Sequence, residues 1–219
     1  MSSQTSYDDL PITQKILVKE RQAPFYSAAK LGNGTNPVIL TTGPEQDCNS
    51  AIPVCQNVYT TSTSYSGNGP NQEIPGNTCL GSNELNSVWY TFTSSSAGNI
   101  AFNITPNVIG QDYDFALYNI TGTNCSAISS GALTPVRCNF SATGGVTGLS
   151  SSGTNASEPA SGPNQSTVLA TTVGQTYVLI ISNYSSSNNG YTLDFTPGTA
   201  SIFDVTPPTL TSVSAPCGS

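Results

Sequence analysis

The sequence predicts an all-β fold, an antiparallel sandwich or barrel preceded by an N-terminal arm, and three observations predict it. Apolar side chains recur with period two in several short segments, the spacing of strands with one buried face. Clusters of Gly, Asn, Ser and Pro punctuate those segments. Outside residues 12–20, no stretch offers a convincing helical period, which removes α/β architectures.

Taken in order, residues 1–46 lack a clear core pattern and read as an arm, extended or strand-donating. Ile12, Ile16 and Val18 make a short apolar patch there among Lys15, Lys19 and Arg21. Cys48-Asn-Ser-Ala-Ile-Pro-Val-Cys55 is too tightly spaced, and too interrupted by Pro53, for a long element, so it predicts a turn or short helix. Residues 60–83 are rich in turn formers. Strands follow where Val88, Tyr90 and Phe92 alternate with Trp89, Thr91 and Thr93, then at Ile100, Phe102 and Ile104, then at Tyr113, Phe115 and Leu117. Ser94 to Asn99 is expected to turn a hairpin between the first two, with Gly98 free to take a positive φ. Residues 141–166 are almost wholly Gly, Ser, Thr, Asn and Pro and are expected to form a long exposed loop. Tyr177-Val-Leu-Ile-Ile181 is a continuous apolar run suited to a central strand, and Tyr191, Leu193 and Phe195 follow Asn188-Asn-Gly190 as if in a second hairpin. Beyond residue 203, Pro207-Pro208 marks a linker, because such a pair cannot enter a sheet interior. The expected division is therefore an arm at 1–46, a sandwich at 47–203 and a linker at 204–219.

Composition narrows the function. Charged residues make up 8% of the 219, against roughly 25% in an average soluble domain, so hydroxyls and amides hydrate the surface. Lys15, Lys19, Arg21 and Lys30 outweigh Asp8, Asp9 and Glu20 by one unit, whereas from residue 31 onward Arg137 alone faces nine acidic residues. An acidic body of that kind repels nucleic acid and anionic lipid. The chain has no His, and its lysines are confined to the arm, so a nucleophilic triad has no base and hydrolysis is not expected. Six Cys without a C-x-x-C pair or a His partner point to disulfides and an oxidising compartment. Met1-Ser-Ser-Gln-Thr shows neither a basic leader nor an apolar stretch, so no signal peptide or membrane span is expected in this chain.

The runs Asp47-Cys-Asn-Ser-Ala-Ile-Pro-Val-Cys55, Asn86-Ser-Val-Trp-Tyr-Thr-Phe-Thr93, Asp112-Tyr-Asp-Phe-Ala-Leu-Tyr118, Arg137-Cys-Asn139, Gly174-Gln-Thr-Tyr-Val-Leu-Ile-Ile-Ser-Asn183 and Gly190-Tyr-Thr-Leu-Asp-Phe195 together carry a resemblance. In that order they resemble a surface module of large Bacteroidetes exoproteins associated with gliding motility and type IX secretion. That module is similar in layout to bacterial pre-peptidase C-terminal domains, which implies a jelly-roll-like β-sandwich over residues 46–203. The segment from Pro207 to Gly218 resembles the opening of an Ig-like repeat, which implies a longer parent chain.

Candidate sites follow from residue type and place. Cys125 and Cys138 flank a short excursion, and a bridge between them would close it at a gain of about 3 kcal/mol. The resemblance implies Cys48 with Cys79 as the next pair and leaves Cys55 and Cys217 open. Asp112 and Asp114, two apart at a strand entry, project to one face, and Glu84 precedes a neighbouring strand. The three are candidate Ca²⁺ ligands, solvated or turn-capping acids being the competing reading; no other cofactor is expected. Trp89, Tyr90, Tyr113, Tyr118, Tyr177, Tyr184 and Tyr191 could form a sugar platform, but most fall in phase with the core. The basic arm (Ile12, Lys15, Ile16, Val18, Lys19 and Arg21) has two readings, a segment that docks on the acidic body of the next subunit and adds a strand to its edge, or a floppy leader. The chain is thus expected to be a non-catalytic structural or adhesive module, extracellular and at the cell surface. Its expected partners are copies of itself, other surface-protein domains or glycans. The alternative is a Ca²⁺- or carbohydrate-binding accessory module of a secreted enzyme.

Overall fold

A computed structural model describes residues 6–20, 42–76, 78–81 and 84–202. After the N-terminal helix α1 (Ile12–Glu20) come β1 (Ile52–Pro53), β2 (Val58–Thr60), β3 (Val88–Thr93), β4 (Gly98–Ile100), β5 (Phe102–Pro106) and β6 (Tyr113–Asn119). A single helical turn, α2 (Ser126–Ser129), leads to β7 (Arg137–Asn139), β8 (Thr147–Ser150), β9 (Ser157–Glu158), β10 (Gln165–Thr167), β11 (Leu169–Thr171), β12 (Thr176–Asn183) and β13 (Tyr191–Asp194).

The strands build a β-sandwich. One sheet has the order β1-β3-β12-β6-β7-β9, the other β10-β8-β5-β13-β2, and β4 pairs with β11 in a small ribbon at one end. The period-two residues fill the space between the sheets. Tyr90 and Phe92 from β3, Phe102 and Ile104 from β5, Phe115 and Leu117 from β6, and Tyr191 and Leu193 from β13 form one cluster. Alternation thus assigned the core face correctly.

The continuous run in β12 has a different cause. Tyr177, Leu179 and Ile181 face the sandwich interior, while Val178 and Ile180 join Trp89, Ala116, Tyr118 and Phe140 in a second cluster on the opposite face. The larger sheet is therefore buried on both sides. Each fully buried Leu or Ile there contributes roughly 1.5–3 kcal/mol.

Two expected hairpins are connections between sheets. β3 pairs with β12, and β5 with β13 and β8, so the turn at 94–99 carries the chain from one sheet to the other. β12 and β13 likewise lie in different sheets, joined through Gly190. Alternation reports which face of a strand is buried and says nothing of its hydrogen-bonded neighbour.

The sheets are also not wholly antiparallel. β1 runs parallel to β3, β7 to β9 and β8 to β10. A parallel pair needs a long crossover, and the stretch from 137 to 167 supplies two, because its strands alternate between the sheets. Residues 141–166 are consequently part of the fold, with Ala142, Leu149, Ala160 and Ser166 buried. Their small side chains permit close backbone approach. Gly148 sits at φ +153°, and a Cβ there would collide with the Phe102 carbonyl oxygen across the β5–β8 pairing.

Gly148→Ala should therefore lower the urea midpoint more than Gly122→Ala. Gly122 has φ +73° and open space around it, so only left-handed strain of about 1–2 kcal/mol applies there. Equal midpoints would show that the crossover adapts to a side chain.

Candidate functional site

Residues 6–20 of the arm fold back on the sandwich. Ser6 Oγ donates to Asp9 Oδ2 (2.8 Å), a short turn follows, and Pro11 opens α1. Lys15 and Lys19, one helical turn apart, lie on the buried face, while Ile12 and Leu17 are 47% and 48% exposed. Ile16 and Val18 pack at the margin of the second cluster. The helix thus buries its charged stripe. Residues 6–20 donate no strand to an edge, and Arg21 lies outside the described residues.

Lys19 is fully buried, and its ammonium is enclosed by acceptors. Nζ lies 2.6 Å from Oδ1 of Asp114, 3.0 Å from Oδ2 of Asp112 and 2.8 Å from the Ser141 carbonyl oxygen. The rings of Phe140 and Tyr184 each stand 4.6 Å from Nζ and supply cation–π contact. Tyr7, packed on Tyr184, donates its hydroxyl to Asp112 Oδ2 (2.7 Å). Asp8 and Ser185 bond beside it. Asp112 and Asp114 do share one face, as their spacing predicts, but what they hold is Lys19.

Burial pushes the Asp114 carboxyl well above the ordinary range; the Lys19 charge opposes that shift and the Asp112 charge adds to it. Burial, with Asp112 next, also pushes the Tyr7 phenol far up, so it remains a neutral donor. Oδ1 of Asp112 and Oδ2 of Asp114 are buried without a donor. One ammonium therefore faces two carboxyls, and two of their four oxygens have no donor.

Glu84 stands apart from this group. Its Oε2 accepts from the Glu73 backbone N–H (2.7 Å), and its Oε1 accepts from Trp89 Nε1 (3.1 Å) and Ser87 Oγ (3.2 Å). Glu73 in turn accepts the Cys48 N–H (2.7 Å). The two carboxylates pin the loop that covers Trp89. Glu84, Asp112 and Asp114 do not converge, and no group of three such ligands among the described residues is placed to hold a metal ion.

The cysteines pair across the fold. Cys48 bonds Cys125 and Cys79 bonds Cys138, with Cα separations of 5.8 and 6.5 Å, in place of the expected Cys125–Cys138 and Cys48–Cys79. Cys125 opens α2, Cys138 lies on β7, and each turns toward a different covering loop of the same outer face. Nearness in sequence misleads here because loop-closure entropy rises only slowly with length. Cys55 is also disulfide-bonded, and Cys217 lies outside the described residues. Such bonds point to an oxidising, extracellular compartment. No helix among the described residues is long and apolar enough to cross a membrane.

The remaining candidates are spent internally. Trp89, Tyr90, Tyr113, Tyr118, Tyr177, Tyr184 and Tyr191 are all buried, so none offers a flat face to a sugar. A hollow of about 490 Å³ is lined by residues 42–44 and 66–70, none of which carries a titratable side chain. Comparison with protein-family models, curated proteins and solved structures finds no match. Sequence reasoning missed Tyr7, Phe140, Ser141 and Tyr184 as walls of the lysine site. The available signal was the excess of basic residues in the arm against the acidic body.

Lys19→Met would leave two buried carboxyls unpaired and should cost about 3–5 kcal/mol in urea denaturation. Replacing Asp112 and Asp114 by Asn in that background should restore part of the loss; a near-neutral single variant would show the ammonium to be dispensable. Burial pushes Glu84 from 4.5 up to about 7, against the lowering effect of its donors. The folded state thus prefers the protonated form, so this group's contribution is complete below about 4.5 and lost as pH rises through about 7. Glu84→Gln should flatten the fall of stability with pH across that window, whereas an unchanged slope would assign it to other carboxyls.

Proposed function

We propose that this chain is a non-catalytic structural module of an extracellular surface protein, adhesive through its loops and held folded by internal clamps. The observation that carries this reading is the use of Lys19, Asp112 and Asp114 on one another: these buried ionisable groups hold residues 6–20 onto the sheet. The absence of His from the whole chain supports the non-catalytic part. The disulfides support the extracellular part. The adhesive part rests on loop 107–110, where Ile109 is 93% exposed beside the exposed Val108. Its resemblance to gliding and type IX secretion exoproteins supports placing the module in a longer cell-surface chain. Because residues 6–20 dock within the chain, assembly by strand donation from those residues is not part of the proposal.

Titration calorimetry with Ca²⁺ and a glycan array should both show no saturable binding, and the oxidised protein should resist proteases that cut it after reduction. Saturable binding of either ligand would reassign the chain as an accessory module of a secreted enzyme.

A further inference from the structure

Two carboxyls and an amine sealed from water form a reactive group as well as a charged one. Lys19 Nζ lies 2.6 Å from Oδ1 of Asp114, one C–O bond away from the carbon that a nucleophile would attack. The second carboxyl, Asp112, reaches the same nitrogen at 3.0 Å and is oriented by the Tyr7 hydroxyl. Lys19, Asp112 and Asp114 are each no more than 1% exposed, and the rings of Phe140 and Tyr184 wall the nitrogen in. The geometry points to a spontaneous intramolecular amide between Lys19 and Asp114, with Asp112 carrying the protons.

The starting state has Lys19 as an ammonium, Asp114 as a neutral acid and Asp112 as a carboxylate. Asp112 takes one proton from Nζ, and the freed lone pair adds to Cγ of Asp114 to give a tetrahedral adduct. The C–O bond to the Asp114 hydroxyl then breaks, and that hydroxyl leaves as water with a proton that came from Nζ by way of Asp112. A second Nζ proton ends on Asp112. The products are a secondary amide, one water and a neutral Asp112, so atoms and charge balance without an oxidant or an activated donor.

Several features favour the step. In bulk water, solvent opposes condensation of an amine with an acid; here the partners are held in contact in a dry site, which raises their effective concentration. The reaction replaces buried charges by neutral groups and so removes a desolvation penalty. Burial already favours the neutral acid at Asp114 that attack requires. Loss of one Asp114 oxygen, with protonation of Asp112, relieves the two carboxyl oxygens that lack donors. The Ser141 carbonyl oxygen, which accepts from the ammonium at 2.8 Å, is an acceptor at hand for the one N–H that the amide keeps. The bond would join two points 95 residues apart and fix α1 to β6 covalently. It does not depend on an adhesive role, and either reading can fail without the other.

The test is the intact mass of the purified full-length chain after its disulfides are reduced and alkylated. The expected reading is one water lighter than the sequence requires, with proteolytic fragments joining the peptide that holds Lys19 to the peptide that holds Asp114. Lys19→Arg and Asp114→Ala should restore the full mass, and Asp112→Ala should lose most of the cross-link although both reacting residues remain. A wild-type chain that is folded by circular dichroism yet carries its full mass overturns the inference, as does a water loss mapped to other residues. Because the decisive reading comes from the wild type, a variant that fails to fold cannot rescue or sink it.

Discussion

An ammonium sealed from water must find its counter-charges within arm's length, and that requirement at Lys19 organises one whole side of this molecule. Desolvating an ammonium and the counter-charge it faces costs several kcal/mol apiece. The cost is offset only while α1 lies against β6 with Tyr7, Phe140 and Tyr184 closing the site. The helix itself is short and carries exposed Ile12 and Leu17, so its apolar surface gives it little reason to dock where it does. The charge specifies the place, and Ile16 and Val18 add area at the margin.

The same outer face of the larger sheet explains the disulfides and the carboxylate pair. Val178, Ile180, Trp89 and Tyr118 need a cover, yet what lies over them is α1, a single-turn α2 and loops with almost no regular hydrogen bonding of their own. A sheet face of that kind usually receives a second sheet or a long helix. Here cross-links substitute for regular structure. Cys48–Cys125 and Cys79–Cys138 close loops of 77 and 59 residues, each contributing about 4 kcal/mol in the chain-entropy view. Glu73 and Glu84 bind backbone N–H groups of the same loops.

Much of the sandwich was legible because alternation is a direct record of burial. Tyr90, Phe92, Phe102, Phe115 and Leu193 fall on the inner face as their spacing requires. Pairing was not legible, because β3 and β5, or β12 and β13, have the same pattern whether they are neighbours in one sheet or faces of two. The strands between 141 and 166 were hidden by composition: Thr147-Gly-Leu-Ser150 carries one large apolar side chain, and its stability comes from pairing with β5 and β10. The lysine site was half visible. The paired aspartates and the basic arm both stood out, but electrostatic complementarity within one chain reads the same in sequence as complementarity between two.

That ambiguity has a physical resolution in the depth of the contact. A charge that docks on a neighbour's surface keeps much of its hydration, and an exposed pair of this kind contributes about 1 kcal/mol or less. Lys19 has surrendered all of its hydration. A fully dehydrated ammonium tolerates little displacement, since losing Asp112 and Asp114 would leave three buried groups unpaired at once. Partial undocking of α1 is therefore penalised more steeply than the small area of the helix suggests, and residues 6–20 behave energetically as part of the sandwich they cover.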